Sequence, residues 1–173
     1  MPGSGKSTIV SALKTRGFEA LNLGDGVRAE AKRRNLELSG DNLGKLMLEL
    51  REKNGPGAIA ELLTEPIKNS QSKVIIIDGV RSIAEIEVLK NVGSVKLLSI
   101  EATADTRYKF LSSRGRSDDP ATREKFEERD NRELGVGIGE SIAIADETIS
   151  NSDVTLDELT ELASKTIEKW IDT

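Results

Sequence analysis

Apolar positions along the chain follow two rhythms. Four short runs are apolar or β-branched at half or more of their positions: Phe18-Glu19-Ala20-Leu21-Asn22-Leu23, Lys73-Val74-Ile75-Ile76-Ile77-Asp78, Val95-Lys96-Leu97-Leu98-Ser99-Ile100 and Glu147-Thr148-Ile149-Ser150. Such runs predict strands, and the unbroken one at 73–78 predicts a parallel strand covered on both faces. Between them lie longer stretches with helical spacing. One runs from Ser7 to about Thr15 and stops before Gly17. A second starts at Asp41 as N-cap, carries Leu43, Leu46, Met47 and Leu50, and ends at Asn54-Gly55. Pro56 is expected to open a third, with Ile59, Leu62 and Leu63 buried. A fourth follows Ser82, with Ile83, Ile86 and Leu89 inward. Helices over 105–114, 121–134 and 156–171 complete the set. Strands alternating with helices predict an α/β domain with a parallel sheet, and 173 residues make one domain.

Composition narrows the chemistry. Hydrophobic residues make up 36% and charged residues 32%, enough for one core under a charged surface. The chain has neither Cys nor His, which excludes disulfides, thiolate nucleophiles and imidazole acid–base catalysis. Proton transfer falls to carboxylates, Lys, Tyr or water. Thirty acidic residues against 25 basic give a net charge of −5, and only five residues are aromatic. That balance makes nucleic acid an unexpected partner. No apolar run is long enough to span a bilayer and no signal sequence stands at Met1, so a cytoplasmic protein with no membrane partner is expected.

The candidate chemistry begins at the first residues. Gly3-Ser4-Gly5-Lys6-Ser7-Thr8 is the tail of a phosphate-binding loop, G-x-x-x-x-G-K-[ST]. Its backbone N–H groups and the following helix N-terminus form an anion nest, Lys6 reaches the β- and γ-phosphates, and Ser7 holds Mg²⁺. The apolar helix Ile9, Val10, Leu13 follows where the motif requires it. Met1 occupies the second position of the motif, so its first Gly and preceding strand are not in this sequence. The native chain is expected to begin upstream of Met1.

Asp78-Gly79-Val80-Arg81-Ser82 follows the strongest strand, at the carboxyl edge where open α/β sheets bind ligands. Asp78 suits a carboxylate for Mg²⁺ or its water shell, and Arg81 a fork for a second phosphate. Asp25 and Arg28 stand behind the first strand. There Asp25 is either a carboxylate orienting the accepting group, with Arg28 pairing its phosphate, or only an N-cap. Arg114 and Arg116 flank Gly115 in a loop expected to close over a triphosphate. The neighbouring arginines read mostly as a charged helix surface with pairs such as Glu128–Arg132.

Taken in order, P-G-S-G-K-S, D-G-V-R-S, R-G-R-S-D-D, R-D-N-R-E-L-G-V-G-I-G-E and A-D-E-T-I-S-N resemble an archaeal group of adenylate-kinase-related P-loop proteins. That group is similar to dephospho-coenzyme A kinases and nucleoside monophosphate kinases. The resemblance runs from Met1 to Trp170. It implies a P-loop NTPase fold: a doubly wound parallel sheet of about five strands, helices on both faces, and the first strand missing from this chain. It implies a single domain over 1–173 with an acceptor-binding region around 25–65 and a small lid around 114–120. ATP with Mg²⁺ would lie over Gly3–Thr8, with Asn151 near the adenine. An acceptor, AMP or a similar monophosphate, would lie between Asp25, Arg28 and Arg81. The implied activity is ATP-dependent phosphorylation of a nucleotide-like molecule. The alternative is a nucleotide-binding sensor or assembly factor, for which the polar run 135–140 would face a protein partner that the sequence does not identify.

Overall fold

The computed structural model describes residues 1–116, 119–152 and 154–172. All four expected strands form: β1 (Glu19–Asn22), β2 (Ile75–Asp78), β3 (Leu98–Glu101) and β4 (Glu147–Ser150). The helices are α1 (Lys6–Thr15), α2 (Leu23–Arg33), α3 (Gly40–Asn54), α4 (Ala58–Asn69), α5 (Ile83–Lys90), α6 (Ala104–Arg114), α7 (Arg123–Val136), α8 (Ile138–Ala143) and α9 (Leu156–Ile171). The strands are parallel, as expected. They form two two-stranded sheets, β1 with β2 and β3 with β4, rather than one continuous ladder.

Two cores correspond to the two sheets. Ile9 and Leu13 of α1, Ile100 of β3, Ile149 of β4 and Leu159, Ala163 and Ile167 of α9 form one, and Ile76 of β2 packs against it. β2 and β3 therefore share a core without sharing hydrogen bonds. The other core joins α2 (Leu23, Val27, Ala31), α3 (Leu43, Leu46, Leu50) and α4 (Ala58, Ile59, Ala60, Leu63), with Leu89 of α5. The i, i+4, i+8 spacing in α9 and in α2 puts these residues on one stripe of each helix.

Helix ends follow local chemistry. Thr155 and Glu158 form a reciprocal capping box on α9, worth about 0.5–2 kcal/mol. Ser82 caps α5 through Glu85 N, and Gly55 ends α3 at φ 91°. Three local expectations shift. Ser39 rather than Asp41 caps α3, because its hydroxyl accepts from Asn42 N at 3.3 Å. α4 begins at Ala58 with Gly57 as N-cap, leaving Pro56 in the preceding turn. Ile83 is exposed rather than inward, since it occupies the first position of its helix. α8 was not anticipated: Gly137, at φ 107°, ends α7 and starts α8, breaking what reads as one polar run.

Candidate functional site

The register of the first sheet assembles one side of the site. Asn22 stands opposite Asp78 at the carboxyl ends of β1 and β2. Its Nδ2 donates to Asp78 Oδ2 at 2.9 Å, while its Oδ1 accepts from Gly24 N at 2.7 Å and caps α2. Asn22 thus fixes the Asp78 carboxylate and the start of α2 together. Asp25 is therefore not the N-cap; it lies in the first turn, 73% exposed, paired with Arg28 Nη1 at 2.7 Å.

The loop at 3–8 is shaped by its glycines and braced by distant side chains. Gly3 and Gly5 have φ of 81° and 101°, which L side chains rarely adopt. A Cβ on Gly3 would stand 2.7 Å from the Arg107 carbonyl, and one on Gly5 would stand 2.6 Å from Asn151 Nδ2. Asn151 is buried and donates from that amide to Ser4 O at 3.0 Å. Its own N–H donates to Glu101 O at 2.7 Å, tying the loop to the end of β3. Arg107 of α6 donates to Pro2 O at 3.1 Å and pairs through both Nη atoms with Asp130 of α7. Its guanidinium also lies 4.9 Å from the Phe126 ring centroid. No side chain caps α1; Thr8 N donates to Gly5 O at 3.0 Å, and an uncapped helix start of this kind suits an anion.

Lys6 follows directly. Its Nζ donates to Met1 O at 2.6 Å and Ser4 Oγ at 3.2 Å. Burial chiefly lowers its pKa to about 8; Arg81 and Arg107 push the same way, and Asp78 and Glu133 oppose them. Ser7 Oγ lies 3.5 Å from Asp78 Oδ2. A hydroxyl beside a buried carboxylate suits a hard divalent cation that takes its remaining ligands from phosphates and water. Among the described residues no cluster of three or more acidic, His or Cys side chains offers a cation a full protein cage.

Beyond Asp78, Gly79 turns the chain at φ 95° and delivers Arg81 to a cavity between α2, α3 and α7. Gly24, Val27, Arg28, Gly40, Leu43, Met47, Arg81, Arg129, Arg132 and Glu133 line it. Glu85, fully buried, accepts from Arg81 N at 2.7 Å and from Arg51 Nη2 at 2.7 Å. This buried pair locks the backbone that carries Arg81. The Arg81 side chain donates to Gly79 O at 3.0 Å and pairs through Nε with Glu133 Oε2 at 2.5 Å.

The structure therefore brings Lys6, Ser7, Asp78, Arg81 and Arg28 to one sheet edge. The Asp25 carboxylate is outside the cavity lining. Arg114 pairs with Asp119, whose carboxylate also accepts from Arg116 N at 2.8 Å; the Arg114 side chain is partly covered and Arg116 is exposed. Ser117 and Asp118 of the expected lid lie outside the described residues. Arg129, Arg132 and Glu133 were not anticipated. Arg132 is no mere helix-surface charge: a Cβ on Gly44 would meet its Nη1 at 3.1 Å, so a glycine in mid-helix gives it room over α3. That unfavourable glycine in an otherwise regular helix was the available signal.

Comparison with known proteins bears on the family and the fold. A family model described as an AAA domain matches residues 1–127. The UPF0200 protein of Pyrococcus abyssi is 40% identical over 158 residues, covering 88% of this chain and 84% of the relative. That of Hyperthermus butylicus is 37% identical over 169 residues, covering 98% and 90%. Among solved structures, the Thermus thermophilus protein TT1252 superposes with a TM-score of 0.68 at 20% identity, covering 97% of this chain and 92% of that one. Shikimate kinase from Bacteroides thetaiotaomicron gives 0.60 at 13% identity, covering 96% and 93%. At such identities the two structures speak for the fold alone. Among the described residues no helix is long and apolar enough to cross a membrane. With its phosphate loop, parallel strands and these relatives, the chain belongs to the UPF0200 family and has the α/β fold of P-loop kinase-related proteins.

Proposed function

We propose that the protein is a cytoplasmic ATP-dependent phosphotransferase whose acceptor is a nucleotide-like small molecule, a nucleoside monophosphate or similar. One observation carries the reading: two separate cationic sites, Lys6 in the loop and the arginine-lined cavity around Arg81, flank the Asp78 carboxylate. A kinase needs two anion sites facing each other, because phosphoryl transfer depends on positioning and charge neutralisation more than on covalent chemistry.

In this reading Gly3, Ser4, Gly5 and Thr8 shape the nest that receives the ATP phosphates, and Lys6 neutralises the β- and γ-oxygens. Ser7 and Asp78 would hold Mg²⁺, which supplies further charge neutralisation when bound. Arg81 and Arg28 hold the acceptor in line. Asn151 acts by bracing the loop through Ser4 O. Arg114 and Arg116 remain the candidates for lid closure over the triphosphate.

A coupled assay with ATP and Mg²⁺ over the nucleoside monophosphates and dephospho-coenzyme A tests the proposal. Turnover on at least one is expected. ATP binding with no turnover on any would favour a nucleotide-dependent sensor.

A further inference from the structure

Glu133 is the one charged group of the cavity lining that anion binding does not explain. Arginines 28, 81, 129 and 132 line the cavity, and this carboxylate stands among them. It is only 3% exposed, on α7, with Oε2 2.5 Å from Arg81 Nε. Selection for anion affinity alone would remove it, because a carboxylate beside an incoming phosphate opposes binding. The contact is also specific in its partner. Nε of Arg132 lines up no acceptor among the described residues, yet Glu133 is committed to Arg81.

The rest of Arg81 shows what the contact achieves. Its N–H is held by Glu85 and its Nη1 by Gly79 O. With Nε on Glu133, the guanidinium is fixed on two edges before any ligand arrives. Glu133 also lies close enough to raise the Lys6 pKa, so its charge is felt at both ends of the site.

We infer that Glu133 is a specificity-determining residue: it is the resident counter-ion of Arg81, against which an acceptor phosphate must compete for that guanidinium. The inference rests on reading the cavity as the acceptor site. A solitary inorganic anion gains Arg81 only by opposing Glu133, so the exchange returns it little. An acceptor that also reaches Arg28, Arg132 and the apolar wall of Val27, Leu43 and Met47 has further contacts to offset the repulsion. Discrimination comes from a cost imposed on the competitor, and without that cost ambient orthophosphate would occupy the arginine cavity.

The test is calorimetric. Protein saturated with a β,γ-imido ATP analogue and Mg²⁺ is titrated with inorganic phosphate and, separately, with AMP. Glu133→Gln keeps an oxygen for Arg81 Nε and removes the charge; it is expected to bind inorganic phosphate about tenfold tighter than wild type, with a smaller gain for AMP. Glu133→Asp keeps the charge but withdraws it by one methylene, so a gain of about threefold is expected. This variant decides the matter should the Gln protein fail to fold. Phosphate affinity that is unchanged or weaker in the variants, or undetectable in all three proteins, overturns the inference. An analogue that fails to bind counts against the kinase reading, and phosphate is then titrated into the three proteins alone, where the same gain upholds Glu133 as the counter-ion of Arg81 and its absence overturns it; AMP that fails while phosphate shows the expected gain refutes the nucleotide-like acceptor only.

Discussion

In the proposed function the loop half and the acceptor half of the site would hold anions by different means. Around Gly3–Thr8 the binding surface is mostly backbone, and side chains brace it from behind: Asn151 through Ser4 O and Arg107 through Pro2 O. Around Arg81 the surface is side chains, and the backbone beneath is locked by a buried carboxylate, Glu85, and its partner Arg51. A backbone nest accepts any suitably spaced phosphates, which suits a common phosphoryl donor. A ring of guanidinium groups and one carboxylate is specific to the shape and charge of its ligand. The loop half is therefore expected to tolerate little change in conformation, and the acceptor half little change in charge.

The predictions separate the halves, largest effect first. Glu85→Ala removes one partner of a buried ion pair and leaves Arg51 uncompensated; chemical denaturation should show a loss of about 3–5 kcal/mol. Stability within about 1 kcal/mol of wild type would show that Glu85 does not lock the Arg81 backbone. Lys6→Ala should lower turnover by about 10²–10³-fold, the scale for deleting one preorganised charge-stabilising donor, with no loss of thermal stability, because the variant also removes a buried ammonium. Lys6→Arg should not restore activity, because a planar guanidinium does not replace a point charge in the loop. Arg81→Ala should weaken the acceptor by about 1.5–3 kcal/mol and ATP much less. Equal losses for both ligands would assign Arg81 to the ATP half.

The pH dependence follows from Lys6. Its ordinary pKa of 10.5 falls to about 8, chiefly by burial. A lowered lysine pKa means that the folded, ligand-free protein disfavours the ammonium: this cost to folding is full below pH about 8 and is relieved as pH rises toward 10.5. Binding runs the other way, because phosphates need the ammonium. ATP affinity should be flat below pH 7 and fall above pH 8 by up to about tenfold per unit. Lys6→Ala should lack that fall; a fall that persists in the variant would trace to another group.

How much of this was legible in the sequence also divides along the two halves. The loop was readable because a phosphate nest is local: Gly, Gly, Lys and Ser occupy consecutive positions, and an apolar helix follows. All four strands were legible from their short apolar or β-branched runs, and Asp78 and Arg81 from standing just beyond the strongest one. The cavity around Arg81 was readable only in part: Arg28 and Arg81 were expected together, and the residues of α7 were not. Arg28, Arg81 and Arg132 come from three separated segments, and nothing in α7 distinguishes Arg132 and Glu133, which reach the cavity, from Glu128, which pairs with Lys125 at the surface. Asn22 looked like one polar position in a strand. Only the β1–β2 register reveals that it holds Asp78 and caps α2. The division of the strands into two sheets is likewise a property of pairing that no run of residues displays.

The most direct test of the two-site account is a titration of wild type, Lys6→Ala and Arg81→Ala with a β,γ-imido ATP analogue and Mg²⁺. The account predicts that Lys6→Ala loses about 10²-fold or more in affinity, while Arg81→Ala stays within about threefold of wild type, less than 1 kcal/mol. Comparable losses in the two variants would contradict it, because Lys6 and Arg81 would then serve one ligand.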